Sequence, residues 1–365
     1  MKKLIVILFC AFLMGFLALN LILPDRTFSE LENRTLAQPP VFSLSRVLSG
    51  AFESDAEAYV TDQFAFRDGW MTMKAALETL MGKKENNGVY LWGDTLIERI
   101  DAPDEERLAL NIRAVNRFCE QAGVPVYLTL LPTAQEIWRG RLPFGAPRLD
   151  EAALIERVAG ETQARFIDTR AVLEAHADEP IFYRTDHHWT SLGAYWGSTA
   201  LLEGLGLQSA ALDAFSPETV STSFYGTLYS KSGVRRIEPD SIDIYVPDEG
   251  IAVTRLEDSE ARPGMLYDRA RLDGKDKYAM FMGGNQPLAV IETGHAGGKL
   301  LLVRDSYADS EVPFLTAHFS EIHMVDLRYY REGLPAYIAE NDIDCVVISY
   351  SVRNFITDTN LHFLV

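Results

Sequence analysis

The first hydrophobic feature of the chain is a nearly all apolar run from Leu4 to Leu23, which contains one polar residue, Asn20. About twenty such residues are enough to cross a bilayer as a helix. Lys2 and Lys3 precede the run, and positive charge at that place favours a cytoplasmic N-terminus with export of the remaining chain. No small-x-small cleavage site follows the apolar core, as a signal peptide requires. The pattern therefore predicts an uncleaved, single-pass signal anchor over 1–24, with an extracytoplasmic domain at the cell membrane.

Residues 25–50 are polar and contain prolines, which predicts a connector between the anchor and the domain. From Ala51 to Lys84 apolar residues recur at helical spacing, and the break at Arg67-Asp68-Gly69 indicates two helices. A turn at Asn86-Asn87-Gly88 then introduces a short hairpin that consists of residues 89–92 and 96–97.

The remaining pattern is an alternation of helices and apolar strands. Helices are predicted over 104–122, 151–162, 170–176 and 333–340, and strands over 124–132, 165–168, 299–303, 322–326 and 345–349. Strands that alternate with helices favour a parallel sheet with helices on its faces. The predicted fold class is therefore α/β.

Helical periodicity fades between about 209 and 297. Short strand patterns at 241–246, 250–253, 277–282 and 288–291 predict a β-rich insertion over the edge of the sheet, which we interpret as a cover for the substrate. The predicted organisation is thus an anchor over 1–24, a connector over 25–50 and one domain over 51–365 that contains this insertion.

Charge and cysteine content exclude several classes of protein. The formal net charge of the 365-residue chain is -18, which argues against nucleic acid as a partner and against adhesion to anionic lipid, but says little about a neutral sugar. The three cysteines are sparse: Cys10 lies in the anchor, Cys119 in a helical pattern and Cys345 in an apolar strand. The exported domain therefore does not depend on a disulfide framework.

Candidate chemistry is concentrated in residues 182–190, Phe-Tyr-Arg-Thr-Asp-His-His-Trp-Thr. In an extended segment side chains alternate, so Asp186 and His188 share one face while His187 points the other way. This predicts that Asp186 orients His188 as a general base. A metal site would need all three side chains to converge on one ion, which adjacent strand residues do not do easily. We therefore predict no metal and no other cofactor.

A second polar element follows the strand at 299–303, which stops at Arg304-Asp305-Ser306. Open α/β sheets bind ligands at the carboxyl ends of their strands, so Ser306 is positioned as a nucleophile. The alternative is that Asp305 and Ser306 cap the next helix. With the Asp-His pair, Ser306 would complete a Ser-His-Asp site for acyl transfer.

Four further residues are candidates for oxyanion or substrate binding. Arg328 follows a strand end on the same side of the predicted sheet as Ser306, although a surface arginine paired with a carboxylate is an equal alternative. Gly284 and Asn285 could donate hydrogen bonds to an oxyanion, the alternative being a plain turn before Pro287. Tyr307, next to the nucleophile, completes the set.

The segments 185–189 and 305–307, with the connector residues Asn33 and Arg34, resemble the DHHW-motif proteins of Gram-positive bacteria. That family is similar to the periplasmic alginate O-acetyltransferase proteins, which have an SGNH-hydrolase-like fold. The resemblance implies that Ser306 is the nucleophile, His188 the base and Asp186 the orienting carboxylate. It also implies a membrane-bound O-acyltransferase partner that supplies acyl groups across the bilayer. Arg304 stands where SGNH proteins usually have a glycine.

These observations predict an exported, membrane-anchored serine O-acyltransferase that transfers an acetyl group to a cell-surface or extracellular polysaccharide. A carbohydrate esterase or deacetylase with the same triad is one alternative, because only the exclusion of water separates the two reactions. A non-catalytic, glycan-binding scaffold with a degenerate site is another. A third alternative, a metal-dependent hydrolase that uses Asp186, His187 and His188, would lose activity on chelation.

Overall fold

The computed structural model describes residues 2–29, 34–257 and 260–365. The chain divides into two compact units: one contains the residues up to Asn87 together with Tyr229–Arg236, and the other contains Gly88–Leu228 and Ile237–Val365. Asn33, one of the connector residues that carry the family resemblance, lies outside the described residues. The boundaries between the anchor (1–24), the connector (25–50) and the domain (51–365) stay a prediction.

The first unit is mainly helical. Its elements are α1 (Lys2–Ile22), β1 (Phe28–Ser29), β2 (Arg34–Thr35), α2 (Leu44–Leu48), α3 (Ala51–Asp62), α4 (Arg67–Leu80) and β3 (Glu85–Asn86). The two helices predicted between Ala51 and Lys84 are present, but the break precedes Arg67. It falls there because Phe66 takes a left-handed backbone conformation, φ 59°, and α4 begins directly after it.

Helix α1 is the one helix among the described residues that is long and apolar enough to cross a membrane, over Lys3–Ile22. None of this stretch is buried against the protein. Such a helix fits a signal anchor or a single span, and a signal sequence near the N-terminus would form the same structure.

The second unit is mixed α/β. Its elements up to the insertion are β4 (Val89–Trp92), β5 (Thr95–Glu98), α5 (Glu105–Gln121), β6 (Val126–Leu131), α6 (Ala134–Ile137), α7 (Glu151–Glu161), β7 (Arg165–Ile167), α8 (Arg170–Ala175) and α9 (Ser191–Gly204). They are followed by β8 (Glu218–Phe224), the first two residues of α10 (Thr227–Ser232), β9 (Asp240–Ile244), β10 (Ala252–Glu257), β11 (Glu260–Gly264), β12 (Leu288–Glu292), β13 (Lys299–Arg304), α11 (Ala308–Leu315), β14 (Glu321–Val325), α12 (Leu334–Glu340), β15 (Cys345–Ser351) and α13 (Val352–Thr357).

One large sheet organises this unit, with the strand order β11-β10-β12-β14-β13-β15-β6-β7. The strands from β14 to β7 are parallel, and β12, β10 and β11 extend the sheet in antiparallel fashion. The predicted α/β fold class is confirmed, but the predicted parallel sheet is only mostly parallel, because β12, β10 and β11 join it as antiparallel strands. Parallel strands need helical crossovers, and the long apolar runs of β13 and β15 suit a sheet that is covered on both faces.

Alternate residues of the central strands face two separate apolar layers. Leu301 and Val303 of β13 lie in one core cluster, whereas Leu300 and Leu302 lie in the other. Each fully buried aliphatic side chain of this kind contributes about 1.5–3 kcal/mol. Both layers hold β13 firmly, and β13 in turn fixes the position of the residues that follow it.

The segment predicted as a β-rich insertion contains two kinds of strand. Strands β8 and β9 pair with each other, while β10, β11 and β12 form the antiparallel edge of the large sheet. The strand predicted at 277–282 is wrong, because Lys277–Met280 form a 3₁₀ helix. The buried side chains of Tyr278 and Met280 pack individually into the interior, so no partner strand is needed to bury them.

Candidate active site

The turn after β13 is fixed by the carboxylate of Asp305. One oxygen, Oδ1, accepts a hydrogen bond of 3.0 Å from the backbone N–H of Tyr307. The other, Oδ2, accepts from the backbone N–H and the hydroxyl of Ser351 at 2.8 and 2.6 Å and from Asn354 Nδ2 at 2.8 Å. Asp305 therefore ties the turn to the end of β15. Ser306, which sits between these fixed residues, provides no side-chain cap to α11.

Residues 184–188 form a bend rather than a strand. An isolated β-bridge between Phe182 and Trp189 closes the bend, and the N–H of Tyr183 donates to the carbonyl of His188. The expectation that His187 points away from Asp186 is wrong, since His187 Nδ1 lies 3.6 Å from Asp186 Oδ1. Alternation of side chains holds only for extended backbone, and this backbone turns at each step.

The bend brings the three predicted triad residues into one hydrogen-bonded chain. Asp186 Oδ1 lies 2.6 Å from His188 Nδ1, and His188 Nε2 lies 2.8 Å from Ser306 Oγ. Asp186 and His188 are 3% and 6% exposed. With the proton on Nδ1, the Nε2 lone pair is directed to the serine hydroxyl, which is the tautomer that a general base needs.

The second oxygen of Asp186 is held by the loop before α10. Oδ2 accepts from the backbone N–H of Thr227 at 2.6 Å and from its hydroxyl at 2.9 Å. A Cβ on the preceding residue, Gly226, would lie 2.6 Å from Asp186 Cγ, so only glycine fits there. Burial alone would raise the pKa of Asp186. The charges of His187 and His188 and the hydrogen bonds outweigh it and hold that pKa well below its usual range.

Trp189 connects the two sequence segments. Its indole Nε1 donates to the carbonyl of Tyr307 at 2.9 Å and to Ser310 Oγ at 3.0 Å, across the turn that carries the serine. A Cβ at Gly197 in α9 would overlap the Trp189 ring, so glycine is required for the indole to fit. Trp189 thus holds the turn that carries Ser306 through hydrogen bonds to Tyr307 and Ser310.

Tyr278 is a site residue that the sequence did not reveal. Its ring stacks on the His188 imidazole with centroids 3.8 Å apart and planes at 9°, and its hydroxyl donates to the carbonyl of Ser306 at 3.0 Å. Tyr278 therefore contacts both His188 and Ser306. No periodicity could have indicated this, because the residue lies in a segment whose pattern is typical of a strand.

The four oxyanion or substrate candidates have other partners. The Arg328 guanidinium makes two hydrogen bonds to Asp326, at 2.9 and 2.6 Å, and one of 2.9 Å to Asn285 Oδ1. Although burial would lower the pKa of Arg328, Asp326 raises it above its usual value. The Gly284 N–H donates to a carbonyl at 3.3 Å, and the Tyr307 hydroxyl donates to the carbonyl of His187. In the part of the chain that the structure describes, none of these four side chains or amides bonds to Ser306.

Arg304 directs its charge into the interior. The side chain is 1% exposed, and Nη1 lies 3.2 Å from Asp309 Oδ1 and 3.6 Å from Asp326 Oδ2. The triad distances are thus compatible with an arginine directly before Asp305 and Ser306. A cavity of about 210 Å³ adjoins this turn, and it is lined by Arg304, Asp305, Arg328, Tyr350, Asn354, Thr357, Asp358, Thr359 and Asn360.

Asp186, His187 and His188 could also approach a metal ion. One potential ligand atom of each lies within 4.8 Å of the others, so the argument that these residues do not converge is wrong. However, His187 Nδ1 is hydrogen-bonded to Thr227 Oγ1 at 2.7 Å. His188 would have to leave either Asp186 or Ser306 to bind an ion. The contacts present therefore fit the hydrogen-bonded triad better than a metal centre.

Comparison with known proteins shows which family the two polar segments resemble. A family model described as DHHW protein matches residues 163–325, which include both polar segments. The crystal structure of a DHHW family protein from Eubacterium siraeum is 27% identical, with a TM-score of 0.66, over 76% of this chain and 95% of that chain. No curated protein matches the chain. The predicted resemblance to DHHW proteins is confirmed.

Two further solved structures match the chain at lower sequence identity. Bacillus cereus PatB1, solved with a sulfonyl adduct, is 18% identical with a TM-score of 0.63, over 75% of this chain and 97% of that chain. The O-acetyltransferase domain of Pseudomonas putida AlgJ is 17% identical with a TM-score of 0.45, over 74% of this chain and 93% of that chain.

Proposed function

We propose that this chain, which resembles DHHW proteins over both of its polar segments, is an exported, membrane-anchored serine O-acyltransferase. It transfers an acetyl group to a cell-surface or extracellular polysaccharide. The observation that carries the proposal is the continuous hydrogen-bonded chain from Asp186 through His188 to Ser306 at the carboxyl end of β13.

In the first half-reaction Ser306 Oγ attacks the carbonyl carbon of the acyl donor. His188 Nε2 takes the hydroxyl proton, and the ionised Asp186 stabilises the imidazolium through Nδ1–H. The bond from the acyl carbon to the leaving group then breaks, and His188 returns the proton to that group. The product is an acyl ester on Ser306.

In the second half-reaction a sugar hydroxyl attacks the acyl ester. His188 accepts the proton of that hydroxyl, the bond between the acyl carbon and Ser306 Oγ breaks, and the proton passes to the serine. The backbone N–H of Ser306 donates no hydrogen bond within the described residues, so it is free to stabilise the oxyanion in both steps. Tyr278 holds the imidazole plane and the serine backbone in place.

Transfer rather than hydrolysis is supported by the resemblance to alginate O-acetyltransferase proteins. The sulfonyl adduct of PatB1 supports a reactive nucleophile on this fold. Helix α1 supports a location at the membrane, where a membrane-bound O-acyltransferase would supply the acyl group. A carbohydrate esterase would use the same triad with water as acceptor, so the acceptor decides between the two.

Intact mass spectrometry of the full-length chain with 4-nitrophenyl acetate tests the proposal. We expect one acetyl group on Ser306 in the wild type and none in Ser306→Ala. In His188→Gln we expect acetylation to be slower by about 10³-fold or more, because the general base is lost. His187→Gln is the matched control, and it should change the rate by less than about tenfold, since His187 Nδ1 is hydrogen-bonded to Thr227 Oγ1.

The same experiment separates the alternatives. A metal-dependent hydrolase would lose activity with EDTA and would depend on His187 as strongly as on His188. Added oligosaccharide should yield acetylated glycan, whereas free acetate alone would identify an esterase. If folded wild-type protein reacts with neither the acetyl ester nor a sulfonyl fluoride, the non-catalytic scaffold replaces the proposed enzyme.

A further inference from the structure

Helix α4 exposes a continuous apolar stripe. Phe66, directly before the helix, and Trp70, Met73, Leu77 and Leu80 are 63%, 38%, 47%, 51% and 83% exposed. At the helical rotation of about 100° per residue, these positions fall within an arc of about 80°. Such a stripe is normally buried against another element.

The start of the stripe lies beside the candidate membrane span within the first unit. The backbone N–H of Ala65 donates to Asn20 Oδ1 of α1 at 2.7 Å. The ring of Phe16 stacks on that of Phe64 with centroids 5.8 Å apart and lies 5.8 Å from that of Trp70. The corner between α3 and α4 is therefore packed against the last two turns of α1.

These contacts set the depth of the corner if α1 crosses the bilayer. The candidate span Lys3–Ile22 has 20 residues, about the number needed to fill a hydrocarbon core of roughly 30 Å. Phe16 precedes Ile22 by six residues, which corresponds to about 9 Å along the helix axis. Groups in contact with Phe16 thus lie at or below the outer edge of the hydrocarbon. Aromatic side chains are enriched at that level.

Phe66 supports the same placement. Its left-handed φ of 59° is unfavourable for a side chain with a Cβ, and its ring is mostly exposed to solvent. Glycine would suit this backbone better, so the phenyl ring needs a contact that the described residues do not supply. A lipid acyl layer would supply it.

We propose that α4 lies in the outer interface of the bilayer that α1 spans, with its apolar stripe against the lipid acyl chains. The inference rests on the membrane anchor of the proposed function. The partner is the bilayer itself. The stripe is apolar and the whole chain carries a net charge of -18, so zwitterionic lipid is sufficient and anionic lipid is not required.

Tryptophan quenching by brominated lipid tests this placement. The full-length chain is reconstituted in phosphatidylcholine vesicles with or without bromine on the acyl chains, and intact mass confirms that α1 is present. We expect bromolipid to quench the tryptophan fluorescence of the wild type and of Trp92→Phe to the same extent. Most of this quenching should be lost in Trp70→Phe. Trp92 is a matched control because it is also exposed, at 48%, and belongs to the second unit.

A second variant separates membrane contact from folding. Phe66→Gly relieves the strain of the left-handed backbone but removes the phenyl ring. The variant should therefore fold normally, and bromolipid should quench Trp70 less. Phe144→Ser, which changes a fully exposed ring of the second unit, should leave the quenching unchanged. Ser306→Ala should also match the wild type, so a failure of the proposed chemistry does not affect this readout.

Four results would overturn the placement. Equal quenching of Trp70→Phe and wild type would show that Trp70 is not in lipid. Quenching of Trp70 by aqueous acrylamide but not by bromolipid would place the stripe in water. Protection from both quenchers would mean that protein covers it. If the chain bound to vesicles had lost α1, the membrane anchor on which the proposal rests would be absent, and the proposal would be rejected.

Discussion

At the scale of single residues, Asp186 is the most constrained group of the site. Its Oδ1 accepts from the backbone N–H of His188 at 3.0 Å and lies 2.6 Å from the imidazole, while Oδ2 accepts both donors of Thr227. A carboxylate with this many donors keeps one orientation and stays ionised. Gly226 and Thr227 therefore fix the position of the His188 imidazole through the Asp186 carboxylate.

Gly226→Ala should disable the site without unfolding the protein. The new Cβ would lie 2.6 Å from Asp186 Cγ, so the carboxylate must move away from His188. A displacement of about 1 Å in a catalytic group can cost on the order of 10²-fold in rate. We expect such a loss in kcat/KM for acetyl transfer. Gly140→Ala is the control, because its Cβ would meet nothing within 4 Å. Equal activity of Gly226→Ala and wild type would contradict the role assigned to this loop.

At the scale of elements, α11 is a helix that is buried from Ala308 to Leu315 although it carries two acidic residues. Asp309 is compensated by Arg304, which also approaches Asp326. Burial nevertheless raises the pKa of Asp309 to about 7. Breaking such a buried cluster by removing one partner usually costs about 3–5 kcal/mol. Arg304 therefore has a structural role in the interior, where its charge faces Asp309 and Asp326.

Glu311 on the same helix should make stability depend on pH. Neither carboxylate oxygen has a hydrogen-bond partner among the described residues, and burial raises the pKa of Glu311 to about 8. Because the folded pKa lies above that of the unfolded chain, this group's contribution to stability is full below about pH 4 and is lost as the pH rises to about 8.

Glu311→Gln should therefore raise the free energy of unfolding at pH 8 by on the order of a few kcal/mol relative to wild type, with little gain at pH 4.5. Chemical denaturation at both pH values measures the difference. Glu249→Gln, at an exposed position, should leave the pH profile as it is in wild type. A gain that is the same at both pH values would mean that Glu311 is not held protonated.

At the scale of the whole molecule, the net charge of -18 should influence which acceptors reach the site. Raising the ionic strength from about 0.01 to 0.1 M shortens the Debye length from about 30 to 10 Å. We expect KM for an anionic oligosaccharide to fall several-fold over this range, because repulsion is screened. A neutral oligosaccharide should serve as the control, with KM changed by less than about twofold. A rise in KM for the anionic acceptor would indicate instead that local arginines attract it.

The sequence by itself determined the features that have a local signature. The apolar run of α1, the alternation of helices and strands, and the serine at the end of β13 follow from periodicity and from short motifs. The identities of Asp186, His188 and Ser306 could be read for the same reason, since each stands in a distinctive polar segment at the end of an apolar one.

Only the tertiary structure decided how these segments meet. His188 and Ser306 are 118 residues apart, and the contact between them depends on the bend at 184–188 and on the anchoring of Trp189. Tyr278, Gly226 and the interior position of Arg304 carry no periodic signal, because each acts through one contact across the fold. Sequence patterns report which face of an element is buried, whereas packing between distant elements fixes the partners of individual side chains.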